Sequence, residues 1–168
     1  MHIRKKEAER NENADLCGRC GGQCCKATPC TYFPSDFGEI LTMDALLERI
    51  HAGKATLLRV EGCQSRVMTS RTRDHDGLDV ISREEWVLNG RKIPYLRECA
   101  LLTPTGCSLS LAERPSAGAM YVPRFICGVR SCYMPRVSVR ESWDPYQPLL
   151  MQLEFQLLLE RQTSSGRF

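Results

Sequence analysis

Apolar residues recur at helical spacing in TMDALLERIHA, at Met43, Leu46, Leu47 and Ile50, which predicts an amphipathic helix over residues 42–52. Thr42 stands where a hydroxyl can cap that helix, Asp44 falls in its positive first turn, and Gly53 can stop it. Residues 55–60, ATLLRV, read as a strand, whereas residues 64–77, QSRVMTSRTRDHDG, are polar and predict a loop. Residues 86–88 and 92–96 flank Asn89-Gly90, a dipeptide suited to the positive φ values of a type I′ turn, so a β-hairpin is expected there. Pro94 confines its second arm to a sheet edge. Residues 99–140 are punctuated by Pro104, Gly106, Pro115, Gly118, Pro123, Gly128 and Pro135, which predicts a long irregular stretch. Such a stretch is unusual in a compact domain unless something ties it down. The clearest helix is PLLMQLEFQLLLERQ, running to about residue 162, with Asp144 as N-cap, Pro145 in the first position and Gln147 placed as in a capping box. Leu149, Leu150, Met151, Leu153, Phe155, Leu157, Leu158 and Leu159 nearly encircle it. That pattern predicts the main core helix, deeply buried, with a dimer or partner interface as the alternative use.

These elements make a small, irregular α+β protein with a β-hairpin and a long C-terminal helix. The 168 residues suit a single domain over residues 15–168, preceded by a charged arm at residues 1–14. The net charge of +3, from 23 basic and 20 acidic residues, is too mild to imply a nucleic-acid or membrane partner by itself.

Ten cysteines change the picture. The N-terminal MHIRKKEAERNENADL lacks the apolar run of a signal peptide, and no stretch is apolar enough to span a bilayer, so a cytoplasmic location is expected. Thiols stay reduced there, and metal ligation outweighs disulfides. The stretch CGRCGGQCCK holds Cys17, Cys20, Cys24 and Cys25. Cys17 and Cys20 have the spacing of a metal knuckle, whose tight turn aims two sulfurs at one ion. Adjacent Cys24 and Cys25 diverge, so one ligates while the other packs, or they serve different ions. Cys99 and Cys107, in ECALLTPTGCSL, complete the main candidate set, with Cys127 and Cys132 next. Thiolates select zinc, copper(I) or iron–sulfur clusters, and a site that drew on both loops would staple the two halves of the chain. A thioredoxin-like redox pair at Cys17 and Cys20 lacks the strand and helix that should flank it. Cys63 reads as a small buried hydrophobe, Cys30 fits either role, and His51 reads as a helix-end charge rather than a ligand.

The order of these motifs resembles the YkgJ-type cysteine-cluster family, described as zinc- or iron-chelating domains. Cys17, Cys20, Cys24 and Cys25 match its CxxCxxxCC cluster, and GEILTMDALLERI looks like the apolar segment and helix that follow. Cys99-Ala-Leu-Leu, Gly106-Cys107-Ser-Leu and Arg114-Pro115 match its later loop. The resemblance covers about residues 17–125 and implies metal binding more than an activity. The cysteine that the pattern places just after Arg114-Pro115 is absent, and Cys127 or Cys132 is the candidate replacement. A flagellin lysine methylase carries a similar cluster, which keeps an enzyme reading open.

Other constellations weigh less. DHDGLD at residues 74–79 lacks the acidic end ligands of a calcium loop and reads as a charged surface loop. Arg114, Arg124, Arg130, Arg136 and Arg140, interleaved with Tyr121, Phe125 and Tyr133, have the composition of a nucleic-acid surface. The same arginines can offset the negative charge of a metal thiolate site. The expectation is a metal-binding cysteine-cluster module, holding zinc or an iron–sulfur cluster and acting on a protein partner. An iron–sulfur-dependent modifying or redox enzyme and a nucleic-acid-binding zinc protein are the alternatives. No substrate, and no oligomeric state, can be read from the residues.

Overall fold

Thr42 begins the first helix as its hydroxyl requires. Its Oγ1 accepts the Ala45 N–H at 3.2 Å, and helix α1 runs Met43–His51. The computed structural model describes residues 21–22, 25–26, 29–73, 75–82, 98–110, 112–120, 122–126, 129–133 and 139–165, the side chains of 122–126 and 129–133 excepted. A 3-10 turn, Pro34–Phe37, precedes α1. Strands β1 (Ala55–Val60), β2 (Arg66–Ser70) and β3 (Leu78–Ile81) form a sheet in the order β2-β1-β3. β1 pairs antiparallel with β2 (Leu57 opposite Met68) and parallel with β3 (Leu57 opposite Leu78). Further along lie the two-residue arms β4 (Leu102–Thr103) and β5 (Gly106–Cys107), the short helix α2 (Ser116–Ala119), and the hairpin of β6 (Val122–Ile126) with β7 (Val129–Tyr133). A second 3-10 turn, Glu141–Tyr146, leads into helix α3, Gln147–Ser165. The class is α+β.

Several expectations need correction. Residues 66–70 are a strand, not part of a polar loop; Thr69 and Ser70 are buried and their hydroxyls bond within the protein. Among its described residues, the stretch 99–140 contains four short strands and a helical turn. Asp79 of the DHDGLD segment is not on the surface: it is fully buried in β3, 3.5 Å from His75 Nδ1. Cys63 is exposed rather than buried. The hairpin expected around Asn89-Gly90 lies outside the described residues.

The start of α3 also differs. Pro145 sits inside the 3-10 turn, and Gln147 makes no capping box. Its amide instead takes both backbone groups of Arg66: Oε1 accepts the Arg66 N–H at 2.8 Å and Nε2 donates to the Arg66 carbonyl at 2.9 Å. This fastens the helix to the end of β2.

The core lies between the sheet, α1 and α3. Leu150, Leu153 and Leu157 of α3 meet Leu46 and Ile50 of α1 and Leu57, Met68 and Leu78 of the sheet. Trp143 is fully buried, stacks edge-on against Phe37 at 5.9 Å, and donates its indole N–H to the Tyr32 carbonyl at 2.7 Å. The hydrogen bond removes the cost of burying the indole nitrogen. Burial pushes the Tyr32 phenol well above its ordinary pKa. Gly77 allows the close approach of the helices: its φ is +74°, and a Cβ there would fall 2.6 Å from Ile50 Cγ2. Only one side of α3 is covered, contrary to the deep burial expected: Met151, Phe155, Leu158 and Leu159 are 54, 64, 43 and 46% exposed. No helix among the described residues is long and apolar enough to cross a membrane.

One charge is carried into the α3–sheet contact. Glu154 accepts from Arg59 Nε at 2.7 Å and from Arg66 Nε at 2.6 Å, with only 9% of its side chain exposed. The two guanidiniums belong to the paired residues Arg59 and Arg66 of β1 and β2, so one carboxylate bridges adjacent strands. Removing it leaves two shielded cations unpaired. We expect Glu154→Ala to lower the unfolding free energy by about 3 kcal/mol, measured by urea denaturation. A loss within the scatter of an exposed-site control such as Gln152→Ala contradicts this.

Candidate metal centre

The candidate ligands come from two loops far apart in sequence, and described segments next to both lie along the outer edge of β2 and its continuation. On that edge Tyr32 N–H donates to the Met68 carbonyl at 2.8 Å and Ser70 N–H donates to the Cys30 carbonyl at 2.7 Å, so Thr31 pairs with Thr69. Beyond β2, Thr72 pairs with Cys99: Arg73 N–H donates to the Glu98 carbonyl at 2.9 Å and Ala100 N–H to the Arg71 carbonyl at 2.9 Å. The segments carrying Cys30 and Cys99 are thus held by one strand and its continuation.

The first cysteine loop reaches the second directly. Cys25 accepts the Cys99 N–H at its carbonyl, at 2.9 Å. Gly22 lies against Leu102, so close that a Cβ would fall 2.4 Å from Leu102 Cδ1. Lys26 N–H donates to the Gly22 carbonyl at 3.1 Å. The second loop is itself folded back. Leu102 pairs with Cys107 across β4 and β5, and Ser108 N–H returns to the Leu101 carbonyl at 2.9 Å.

Ser70 stands between two sulfur-bearing residues. Its Oγ accepts the Cys30 N–H at 2.9 Å and lies 3.5 Å from the Cys99 sulfur. Either the Ser70 hydroxyl or the Cys99 thiol can donate in that contact. Cys99 is 4% exposed and Cys30 is half-buried, its sulfur 3.0 Å from where a Cβ on Gly118 of α2 would sit. Next to Cys99, the buried Thr72 Oγ1 has no hydrogen-bond partner among the described residues. Cys25, Cys30, Cys63, Cys99 and Cys107 are not disulfide-bonded.

The donor set is therefore soft sulfur with hydroxyls beside it, which fits zinc or an iron–sulfur cluster better than a hard cation. The structure brings together the backbones of Cys25 and Cys99, with Cys107 on the same small hairpin. Cys132 lies in β7 opposite Pro123. Cys17, Cys20, Cys24 and Cys127 lie outside the described residues. Among the described residues no three His, Cys, Asp or Glu side chains are grouped closely enough to hold an ion. The sequence does not single out Ser70, and it fits Cys30 to either a ligand or a packing role. The available signal was the β-branched and apolar run RVMT, which marks a strand ending at Ser70.

The arginines do not form one array among the described side chains. Arg114 donates to the Leu109 carbonyl at 3.1 Å, and Arg140 reaches Ser65 at 3.1 Å. Arg124 and Arg130 sit in β6 and β7, opposite Ser131 and Phe125, and Arg136 lies outside the described residues. A groove of about 440 Å³ opens between α1 and the end of α3, lined by His51, Arg71, Asp76, Glu160 and Arg161 among others, with no cysteine. Its charges are matched within the protein. His51 Nε2 meets Glu160 at 3.0 Å, Arg71 meets Asp76 at 2.8 Å, and Arg161 donates to the carbonyls of Asp76 and Leu78 at 3.0 and 2.6 Å. The His51 hydrogen bond holds the Glu160 carboxyl below its ordinary value. No family model, curated protein or solved structure matches the chain.

The tail of the second loop has its own anchor. Glu113 accepts from Lys54 at 2.5 Å, and from the Ser110 hydroxyl at 2.7 Å and its N–H at 3.2 Å. The Lys54 hydrogen bond, followed by those from Ser110, lowers its pKa from 4.5 to about 2. A folded pKa below the unfolded one contributes stability that is present above pH 4.5 and lost as pH falls through about 2. We therefore expect wild type to lose more stability than Glu113→Gln across that acid window, the difference shrinking in high salt because the pair is exposed. Parallel pH profiles in denaturant titrations contradict this.

Proposed function

We propose that this protein is a metal-binding cysteine-cluster module whose ligand is zinc or an iron–sulfur cluster, held by thiolates from two distant loops. The observation that carries the reading is the Cys25 carbonyl on the Cys99 N–H, with Ser70 set between Cys30 and the Cys99 sulfur. Two cysteine loops are built onto one strand edge, and the buried hydroxyls of Ser70 and Thr72 lie beside them. Hydroxyls near ligating sulfurs act as outer-shell donors that fix and tune the thiolates. Cys25, Cys99 and Cys107 are the described candidates for ligands on this reading, together with Cys17, Cys20 and Cys24 of the first cluster. Cys30 joins the set through Ser70, while Cys127 and Cys132 remain further candidates. The order of the cysteine motifs, which resembles that of the YkgJ-type family, agrees with this reading. A reducing, cytoplasmic setting suits it, since the thiols must stay unoxidised to ligate. A module of this kind acts by presenting a surface to a protein partner.

Anaerobic purification with elemental analysis and a visible spectrum tests the reading. Stoichiometric zinc in a colourless protein, or iron with sulfide in a brown one, supports it; protein folded without either overturns it. Cys99→Ser and Cys25→Ser are expected to release metal and lower the melting temperature, because binding energy here is also folding energy. Cys63→Ser, at an exposed position, is expected to leave both unchanged. Ser70→Ala is expected to weaken metal affinity about 10- to 100-fold in a chelator competition. Equal affinity in that variant removes the hydroxyl from the site.

A further inference from the structure

We infer that the outward face of α3 is a homodimer interface, in which a second copy of this chain packs antiparallel across a twofold axis at Phe155. Every charged residue of the helix is engaged on its inner side or flanks. Glu154 holds Arg59 and Arg66, Glu160 meets His51, and Arg161 donates to the carbonyls of Asp76 and Leu78. What remains outside is Pro148, Met151, Gln152, Phe155, Leu158, Leu159 and Gln162, a stripe without a charge. A helix face that only met water would carry charges, and the expected cost of leaving this much apolar surface wet is high.

Spacing and symmetry name the occupant. Pro148, Gln152, Phe155, Leu159 and Gln162 recur at alternating intervals of four and three, the seam that lets two helices pack side by side. The stripe is also self-complementary about its middle. In an antiparallel crossing Phe155 meets its own copy, Met151 meets Leu159 of the other chain, and Gln152 meets Leu158, as an isologous twofold contact requires. An uncharged stripe pairs with itself without like-charge repulsion. A helix lying on an anionic membrane would instead carry basic residues along its polar flanks, and the lone arginine there is spent on backbone carbonyls. The four half-open side chains present on the order of 400 Å² per copy, about half of what a standard stable interface buries on each partner. The flanking Pro148, Gln152 and Gln162 bring more, so the dimer is a weak, reversible one rather than an obligate one.

Sedimentation velocity on the full chain from low micromolar to near millimolar concentration tests this, with reductant present so that the exposed Cys63 cannot crosslink two copies. A concentration-dependent monomer–dimer equilibrium is expected. Phe155→Glu, which sets two carboxylates face to face on the axis, is expected to raise the dissociation constant by at least about tenfold. Far-ultraviolet circular dichroism and the melting profile, both taken on dilute monomer, confirm that the variant is folded, as the 64% exposure of Phe155 allows. A wild-type protein monomeric at every concentration overturns the proposal, as does a dimer that survives Phe155→Glu. Flotation of wild type, but not Phe155→Glu, with neutral phosphatidylcholine vesicles, in protein that never dimerises, assigns the stripe to a lipid surface instead and also overturns it.

Discussion

Strand β2 is the segment on which the rest of the structure depends, because both of its edges and its side chains are committed. Its inner edge makes the antiparallel ladder with β1. Its outer edge, through Met68 and Ser70, receives the chain that carries Cys30, and its continuation through Thr72 receives Cys99. At its start Arg66 takes the amide of Gln147 on its backbone and the carboxylate of Glu154 on its guanidinium. An edge strand left open is a hazard in a small sheet. Here the segment that carries Cys30 covers that edge, and Cys99 pairs with its continuation.

The amphipathic elements were legible in the residues, and the reason is that their signal is local. The Thr42 cap, the apolar face of α1 and the strand at ATLLRV each depend on near neighbours. β2 was hidden because its buried positions are filled by Thr69 and Ser70, which look like loop residues until their hydroxyls are seen bonding within the protein. Gln147 sits at a capping-box spacing, yet its amide goes to the Arg66 backbone, where it satisfies two partly buried polar groups at once. The short strands after Cys99 carry almost no period, since two residues per arm cannot show one. In the candidate centre, two cysteine-bearing loops were visible in the sequence, and the backbone contact of Cys25 with Cys99 agrees with their joining, but the position of Ser70 was not readable. A serine reaching two cysteine segments is a tertiary fact with no sequence pattern behind it.

Glu154 shows how a polar group is carried into an apolar contact. Two arginines on neighbouring strands share one carboxylate, which satisfies both of its oxygens and fixes α3 in one register along the sheet. A leucine there could match its burial but not its registry, since apolar packing tolerates a slide that paired charges do not. The aromatic chain of Tyr32, Phe37 and Trp143 does the corresponding work at the other end of the helix. Its edge-on contacts at 5.2 and 5.9 Å join the segment following Cys30 to the turn that starts α3. The cysteine segment and the C-terminal helix are therefore coupled through one packed core.

That coupling bears on what α3 can do with its outer face. The helix is fixed by Gln147 at its first residue, by Glu154 in the middle, and by Glu160 and Arg161 near its end, so its rotation about its own axis is set at three levels. A helix held this firmly presents Met151, Phe155, Leu158 and Leu159 as a rigid row, with no freedom to roll them inward. Rolling would be the cheap way to hide them, and it is barred by the ionic contacts on the inner side. The residues that secure α3 to the sheet are thus the same ones that keep its apolar face turned outward. Because Tyr32 and the Cys30 segment share that core, loosening the cysteine segment would loosen the seat of the helix as well.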